Sequence, residues 1–160
     1  MNYLRDTIDD VLILEADNTQ TIRWYVDAAF AVHKDMKSHT GAVMNIGSGA
    51  VISLSTKQKL NARSSTEAEQ VAVDDVIAKI LWTKFIEWQG FEVKMNMLPR
   101  QHRHNETWSE WQDELWEKSR HFAIKLFYVT NLVEKKEVTI EYCPTDEMMA
   151  DFFTKSLVGN

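Results

Sequence analysis

The chain has 160 residues, enough for one domain with a substantial core and too few for two. Hydrophobic residues make up 44% and charged residues 26%, which excludes collagen-like, low-complexity and disordered classes. The net charge of −6 argues against autonomous nucleic-acid binding, because phosphate neutralisation by Lys and Arg supplies much of that affinity.

The single cysteine, Cys143, permits no intrachain disulfide, so a reducing, intracellular place (cytoplasmic or nuclear) is expected. Cys143 stands beside Pro144 at a strand end and reads as structural. No apolar run approaches the roughly 20 residues of a membrane span, so no membrane partner is expected. Met1 to Asp10 is acidic, unlike a secretory signal. The odd feature is 6 tryptophans against only 5 glycines.

Residues 3–16 hold apolar positions without a clean period and read as a short helix or entry segment. From Thr21, Ile22, Trp24 and Val26 alternate with Arg23, Tyr25 and Asp27, a strand that ends at an acid. Residues 41–47 and 50–56 are β-prone runs joined by Gly47-Ser48-Gly49, a hairpin signal. A long helix is predicted over 65–89. Ser64 with Glu67, and Thr66 with Glu69, each fit a capping box. Val73, Ile77, Ile80, Leu81 and Trp88 form its apolar face, and Gly90 fits its C-terminal cap.

The segment 98–119 carries Trp108, Trp111 and Trp116 but only the aliphatics Leu98 and Leu115. A strand is expected here to continue the sheet, and none is legible. Residues 120–130 read as a helix, and 137–142 as a strand with Val138, Ile140 and Tyr142 on one face. A last helix is predicted from Pro144-Thr145 to about Leu157, with Asp146 and Glu147 in its positive first turn. The order of elements predicts a mixed sheet in an α/β fold.

Three acids fall where side chains can converge: Asp27 ending the first strand, Glu67 in the first helical turn, and Asp151 in the last helix. Gathered carboxylates repel each other unless a cation neutralises them, and Mg²⁺ takes oxygen ligands. Each acid also has a plainer reading. Glu67 caps its helix, unless Glu69 with Thr66 does so and frees it. Asp151 pairs with Lys155 at i, i+4. Asp27 starts a turn. Lys57, Lys59 and Arg63 form a basic stretch that by itself reads first as a solvated loop. His102 and His104 lack the neighbours a zinc site requires.

Several motifs in one order carry a family resemblance. Tyr25-Val26-Asp27-Ala28, Ser64-Ser65-Thr66-Glu67-Ala68-Glu69, Tyr142-Cys143-Pro144-Thr145 and Ala150-Asp151-Phe152-Phe153-Thr154-Lys155 resemble the ribonuclease H domain of Ty1/copia-type retrotransposon polyproteins. Met36-Lys37-Ser38-His39-Thr40-Gly41 and Ser55-Thr56-Lys57-Gln58-Lys59-Leu60 fit as well. Arg120-His121 with Phe127-Tyr128-Val129 resembles the family's penultimate helix. The resemblance covers about residues 22–97 and 119–158. Residues 1–20, with Tyr3-Leu4-Arg5, resemble the tail of a preceding reverse transcriptase domain, leaving 21–158 as the RNase H-like domain.

The resemblance implies an RNase H-like mixed sheet flanked by helices. It also implies cleavage of RNA in RNA–DNA hybrids with two Mg²⁺ ions, a metal-activated water attacking the phosphodiester and leaving a 3′ hydroxyl. By position, Asp27, Glu67 and Asp151 match three of the family's four metal-binding catalytic acids. Lys57, Lys59 and Arg63 would lie near the hybrid's backbone. The implied partners are the hybrid and the reverse transcriptase domain of a parent polyprotein, which could supply the basic surface this chain lacks.

One part of the pattern is missing. The family's fourth acid, in an Asp-Asn or Asp-Ser pair after the long helix, should fall near Arg100, where Arg100, Gln101 and Arg103 stand instead. Positive charge there opposes metal binding. The expected cause is a shifted reading frame over 98–119, the alternative being a divergent insertion: with Pro99 to His102 written in the chosen codons CCA AGA CAA CAC, a step of one nucleotide encodes Gln-Asp-Asn-Thr, and the same step turns tryptophan codons into glycine codons. The expectation is a disrupted central strand, low stability and weakened or lost nuclease activity. The alternatives are a non-catalytic hybrid-binding module or a relic without function.

Overall fold

The computed structural model describes residues 20–100 and 120–155, with positions 8, 9, 11, 13 and 15 before them. His102, His104, Trp108, Trp111 and Trp116 lie outside the described residues, as do most of 1–19 and the end from 156. Of the frame-shift reading of 98–119, residues 101–119 lie outside them, as does most of the reading of residues 1–20.

Five strands form one mixed sheet in the order β3-β2-β1-β4-β5. β1 (Thr21–Ala29) pairs antiparallel with β2 (His39–Ile46), and β2 with β3 (Gly49–Lys57). The period-2 pattern of β1 works as expected. Ile22, Trp24 and Val26 enter the main core, while Tyr25 packs on the other face with Leu98, Cys143, Met148 and Ala150. Gly47 has a φ of 79°, the left-handed conformation that lets the β2–β3 turn close in two residues.

The helix predicted over 65–89 ends early. α1 spans Ser65–Thr83, and a single turn, α2 (Phe85–Trp88), follows. Thr83 explains the break. Its hydroxyl donates to the Ile80 carbonyl at 2.6 Å, and a β-hydroxyl bonded back along a helix disturbs it. Gly90, with a φ of 90°, closes α2. The inward stripe of α1 runs through Ala72, Val73, Val76, Ile77 and Ile80. Fully burying a side chain such as Ile80 contributes about 1.5–3 kcal/mol. α3 (Arg120–Glu134) is longer than expected and places Val129 and Leu132 in the same core.

The disrupted central strand is corrected by the structure. β4 (Lys94–Pro99) pairs parallel with β1 in unbroken register from Thr21–Lys94 to Val26–Pro99, and Met95 and Met97 face the core. The strand sits just ahead of the charged segment. It escaped notice because methionine lacks the β-branched signature and Pro99 argues against a strand. Pro99 is tolerated as the last residue, and pairing resumes past it, with Arg100 N–H donating to Val26 O at 3.0 Å.

The strand expected over 137–142 contracts to β5 (Thr139–Ile140), parallel to β4, with a further bridge between Arg100 and Cys143. The predicted final helix is also corrected. Two 3-10 turns, Thr145–Glu147 and Met149–Phe153, take its place, separated by the extended ψ of Met148. Tertiary contacts outweigh helix propensity here. Met148 and Ala150 are buried, and Phe153 O accepts a hydrogen bond from the Ser55 hydroxyl of β3 at 2.8 Å. Among the described residues no helix is long and apolar enough to cross a membrane.

Candidate active site

The second 3-10 turn brings Asp151 to the end of β1, where Asp27 is 1% exposed. Two features hold the turn there. Gly41 of β2 lies so close that an added Cβ would stand 2.6 Å from Ala150 O. The Thr154 hydroxyl donates to Asp27 Oδ2 at 2.8 Å.

Arg100 joins the two acids. Its Nη1 donates to Asp27 Oδ1 at 3.3 Å and to Asp151 Oδ1 at 2.9 Å. Lys155 donates to Asp151 Oδ2. Burial alone would raise the Asp151 carboxyl, but Lys155 and Arg100 outweigh it and hold the group below the usual carboxylate range.

The structure separates the two glutamates of α1. Glu67 works in the helix cap: its N–H donates to Ser64 Oγ at 3.2 Å, and its Oε2 accepts from Arg63 N–H at 2.7 Å. Glu69, one of two acids offered for that cap, is instead 4% exposed beside Asp27. Burial first, and the Asp27 charge second, push its carboxyl up to about 8 against the pull of Arg100. Asp27, Glu69 and Asp151 therefore converge, and Glu67 stands apart in the cap.

Gln58 is a further residue that sequence reasoning passed over. It is 1% exposed, and its Nε2 donates to Ala68 O at 2.8 Å and to Thr40 Oγ1 at 3.1 Å, anchoring the first turn of α1 to β2. A lone Gln among charged residues gives no signal of burial. Arg100 was noticed for its charge, but its contacts with both acids became visible only in the fold.

Lys57, Lys59 and Arg63 are exposed, at the end of β3 and in the stretch that leads to α1. Lys57 Nζ pairs with Asp35 at 2.7 Å. A cavity of about 530 Å³ adjoins the acids and is lined by Ala29, Val32, His33, His39, Thr154 and Lys155. His33 Nε2 lies 3.0 Å from His39 Nδ1, and His39 Nε2 lies 2.8 Å from Ser55 Oγ.

A divalent ion does not fit the cluster as it stands. Both Asp27 oxygens and both Asp151 oxygens receive a proton donor, and two of those donors, Arg100 and Lys155, are cations. Burial and the Asp27 charge push the Glu69 carboxyl up to about 8, which favours its protonated form over a metal-binding carboxylate. Among the described residues no group of three His, Cys, Asp or Glu side chains is placed to hold a metal ion.

No family model matches the chain. It is 26% identical over 162 residues to the retrovirus-related Pol polyprotein from transposon TNT 1-94 of Nicotiana tabacum, covering 100% of this chain and 12% of that protein. It is 26% identical over 160 residues to the Pol polyprotein from transposon RE1 of Arabidopsis thaliana, covering 98% of this chain and 11% of that one. The chain thus spans only a small part of the relatives it matches. Among solved structures, LC11-RNase H1 isolated from compost superimposes with a TM-score of 0.55 at 14% identity, over 84% of this chain and 92% of that one. The foamy viral protease-reverse transcriptase in complex with RNA/DNA hybrid gives 0.53 at 16% identity, over 91% of this chain and 21% of that one. The chain is thus similar along its length to a segment of retrovirus-related Pol polyproteins of transposons, and its fold is that of an RNase H.

Proposed function

We propose that this chain is the RNase H-like part of a Ty1/copia-type Pol polyprotein and engages RNA–DNA hybrids, with the cleavage typical of such domains weakened or lost. The single observation that carries this reading is the convergence of Asp27, Glu69 and Asp151 around Arg100 at the end of β1. The acid set assigned from the sequence changes in one member, Glu69 taking the place of Glu67. In an active domain of this kind, carboxylates hold Mg²⁺ and activate water. Here the same acids are neutralised by protein cations, so no cleavage step is assigned to them.

Hybrid engagement rests on Lys57, Lys59 and Arg63, exposed between the end of β3 and the start of α1. Residues 1–20 belong in this reading to the tail of a reverse transcriptase domain, which would contribute basic surface. An intracellular setting, cytoplasmic or nuclear, goes with it.

The test is fluorescence anisotropy with a labelled RNA–DNA hybrid, in chelator and across a salt series, beside a cleavage assay in Mg²⁺. The expected result is hybrid binding that weakens with salt, falls in the K57A/K59A/R63A variant, and comes with little or no cleavage. Affinity should fall by about tenfold or more in that variant, with a shallower salt dependence. No preference for hybrid over duplex DNA at low salt would overturn the reading. Rapid Mg²⁺-dependent cleavage by the unaltered chain would overturn its catalytic half.

A further inference from the structure

We propose that Arg100 is a resident counter-cation: its guanidinium occupies the place between Asp27 and Asp151 that a divalent ion would need. The chain therefore holds these two acids together without metal, and one substitution at Arg100 opens a divalent-cation site between Asp27 and Asp151. The inference rests on reading these acids as the acid cluster of an RNase H-like domain, and its test is built to fail separately from hybrid binding.

Three observations support it. The first is position. The Arg100 backbone is fixed by its N–H bond to Val26 O at 3.0 Å and by its bridge to Cys143, so residue 100 stands next to the Asp27 end of β1 by strand pairing. Whatever side chain residue 100 carries is delivered to the cluster.

The second is charge. Asp27 and Asp151 are met by two protein cations, Arg100 and Lys155, so the cluster is balanced with no further ion. A divalent ion entering would face the guanidinium at the distance of a direct contact, where like charges oppose each other strongly in a partly buried site.

The third is geometry. One nitrogen, Nη1, lies within reach of an oxygen from each acid, at 3.3 and 2.9 Å. A small cation bridging two carboxylates must stand between those same two oxygens. The guanidinium therefore excludes it sterically as well as electrostatically.

The test uses the full chain, freed of metal, with Mn²⁺ as the probe. Mn²⁺ binding is followed by calorimetry and by the shift in thermal midpoint. The unaltered chain should show no saturable binding in the low millimolar range and no shift. Arg100→Ala and the bulkier Arg100→Gln should each gain a saturable site at least about tenfold tighter than any background, with a midpoint that rises with Mn²⁺. Adding Asp27→Asn to either variant should abolish the gain.

Saturable Mn²⁺ binding by the unaltered chain that Asp27→Asn removes would overturn the proposal. So would folded Arg100→Ala and Arg100→Gln proteins that gain no site, or a gain that Asp27→Asn leaves intact. If neither variant folds, the titration of the unaltered chain still decides the first half. Hybrid binding in chelator is read in the same samples. Its loss would count against the nucleic-acid reading and leave the metal result standing.

Discussion

Arg100 Nη1 lies 3.3 Å from Asp27 Oδ1, and the two side chains differ sharply in exposure: Asp27 is 1% exposed and Arg100 27%. The buried acid depends on the partner at the surface. Arg100→Ala takes from Asp27 its charged donor, leaving the Thr154 hydroxyl on Oδ2, and should destabilise the chain by about 1–3 kcal/mol. Asp27→Asn should cost less, because Arg100 keeps Asp151. The double variant should lose less than the sum of the two singles, as expected for residues in direct contact. Denaturant unfolding of the four proteins in chelator measures this.

Glu69 carries a pH signature. Its carboxyl is raised from an ordinary 4.5 to about 8 in the folded chain. Below about pH 4.5 both folded and unfolded states hold the proton, and the group contributes no pH dependence. Between 4.5 and about 8 the unfolded chain releases the proton while the folded chain keeps it, so stability falls as pH rises through this window. Above about 8 the loss is complete. Glu69→Gln should remove that slope and stabilise the chain near pH 8 by on the order of 1–3 kcal/mol. Unfolding curves at a series of pH values, with and without the substitution, give the comparison, and parallel slopes would contradict the assignment.

Gly41 is a packing requirement for the site. A Cβ there would stand 2.6 Å from both Ala150 O and Thr154 Cγ2, and a backbone oxygen cannot move aside cheaply. Gly41→Ala should push the Met149–Phe153 turn off β2 and weaken the Thr154–Asp27 and Arg100–Asp151 bonds together. A loss of about 1–3 kcal/mol is expected. Faster amide exchange at Asp151 and Thr154, with exchange in α1 less affected, is the accompanying observation.

Gln58 ties the start of α1 to the sheet. Gln58→Ala removes donors to Ala68 O and Thr40 Oγ1 in a buried place and should cost about 1–3 kcal/mol. Because α1 carries Glu69, the substitution should also lower the Glu69 carboxyl toward its ordinary range as water gains access. The pH-dependent unfolding used for Glu69 reads both effects.

Much of the frame was legible from local pattern. The alternation of Ile22, Trp24 and Val26, the Gly47 turn and the Ser64 cap depend on neighbours close in the chain, and local sequence determined them. The mixed α/β class followed from the order of these elements. β4 was not legible, because Met95, Met97 and Pro99 lack a strand's local signature and are held by pairing with β1, some seventy residues away. The final helix failed for the converse reason. Its capping signals were local, but Gly41, Ser55 and Asp27 claim the same segment from a distance.

The choice between Glu67 and Glu69 shows the division most clearly. Both fit a capping box by spacing, and spacing could not say which would cap the helix. Only packing decided, turning Glu69 inward beside Asp27 and leaving Glu67 at the helix start. Sequence by itself offered candidate acids at Asp27, Glu67 or Glu69, and Asp151, and put an arginine at position 100. The tertiary structure alone decided that Arg100 lands between Asp27 and Asp151. Those contacts join residues 73 and 51 positions apart, brought together by the parallel pairing of β4 with β1 and by the packing of the Met149–Phe153 turn against β2.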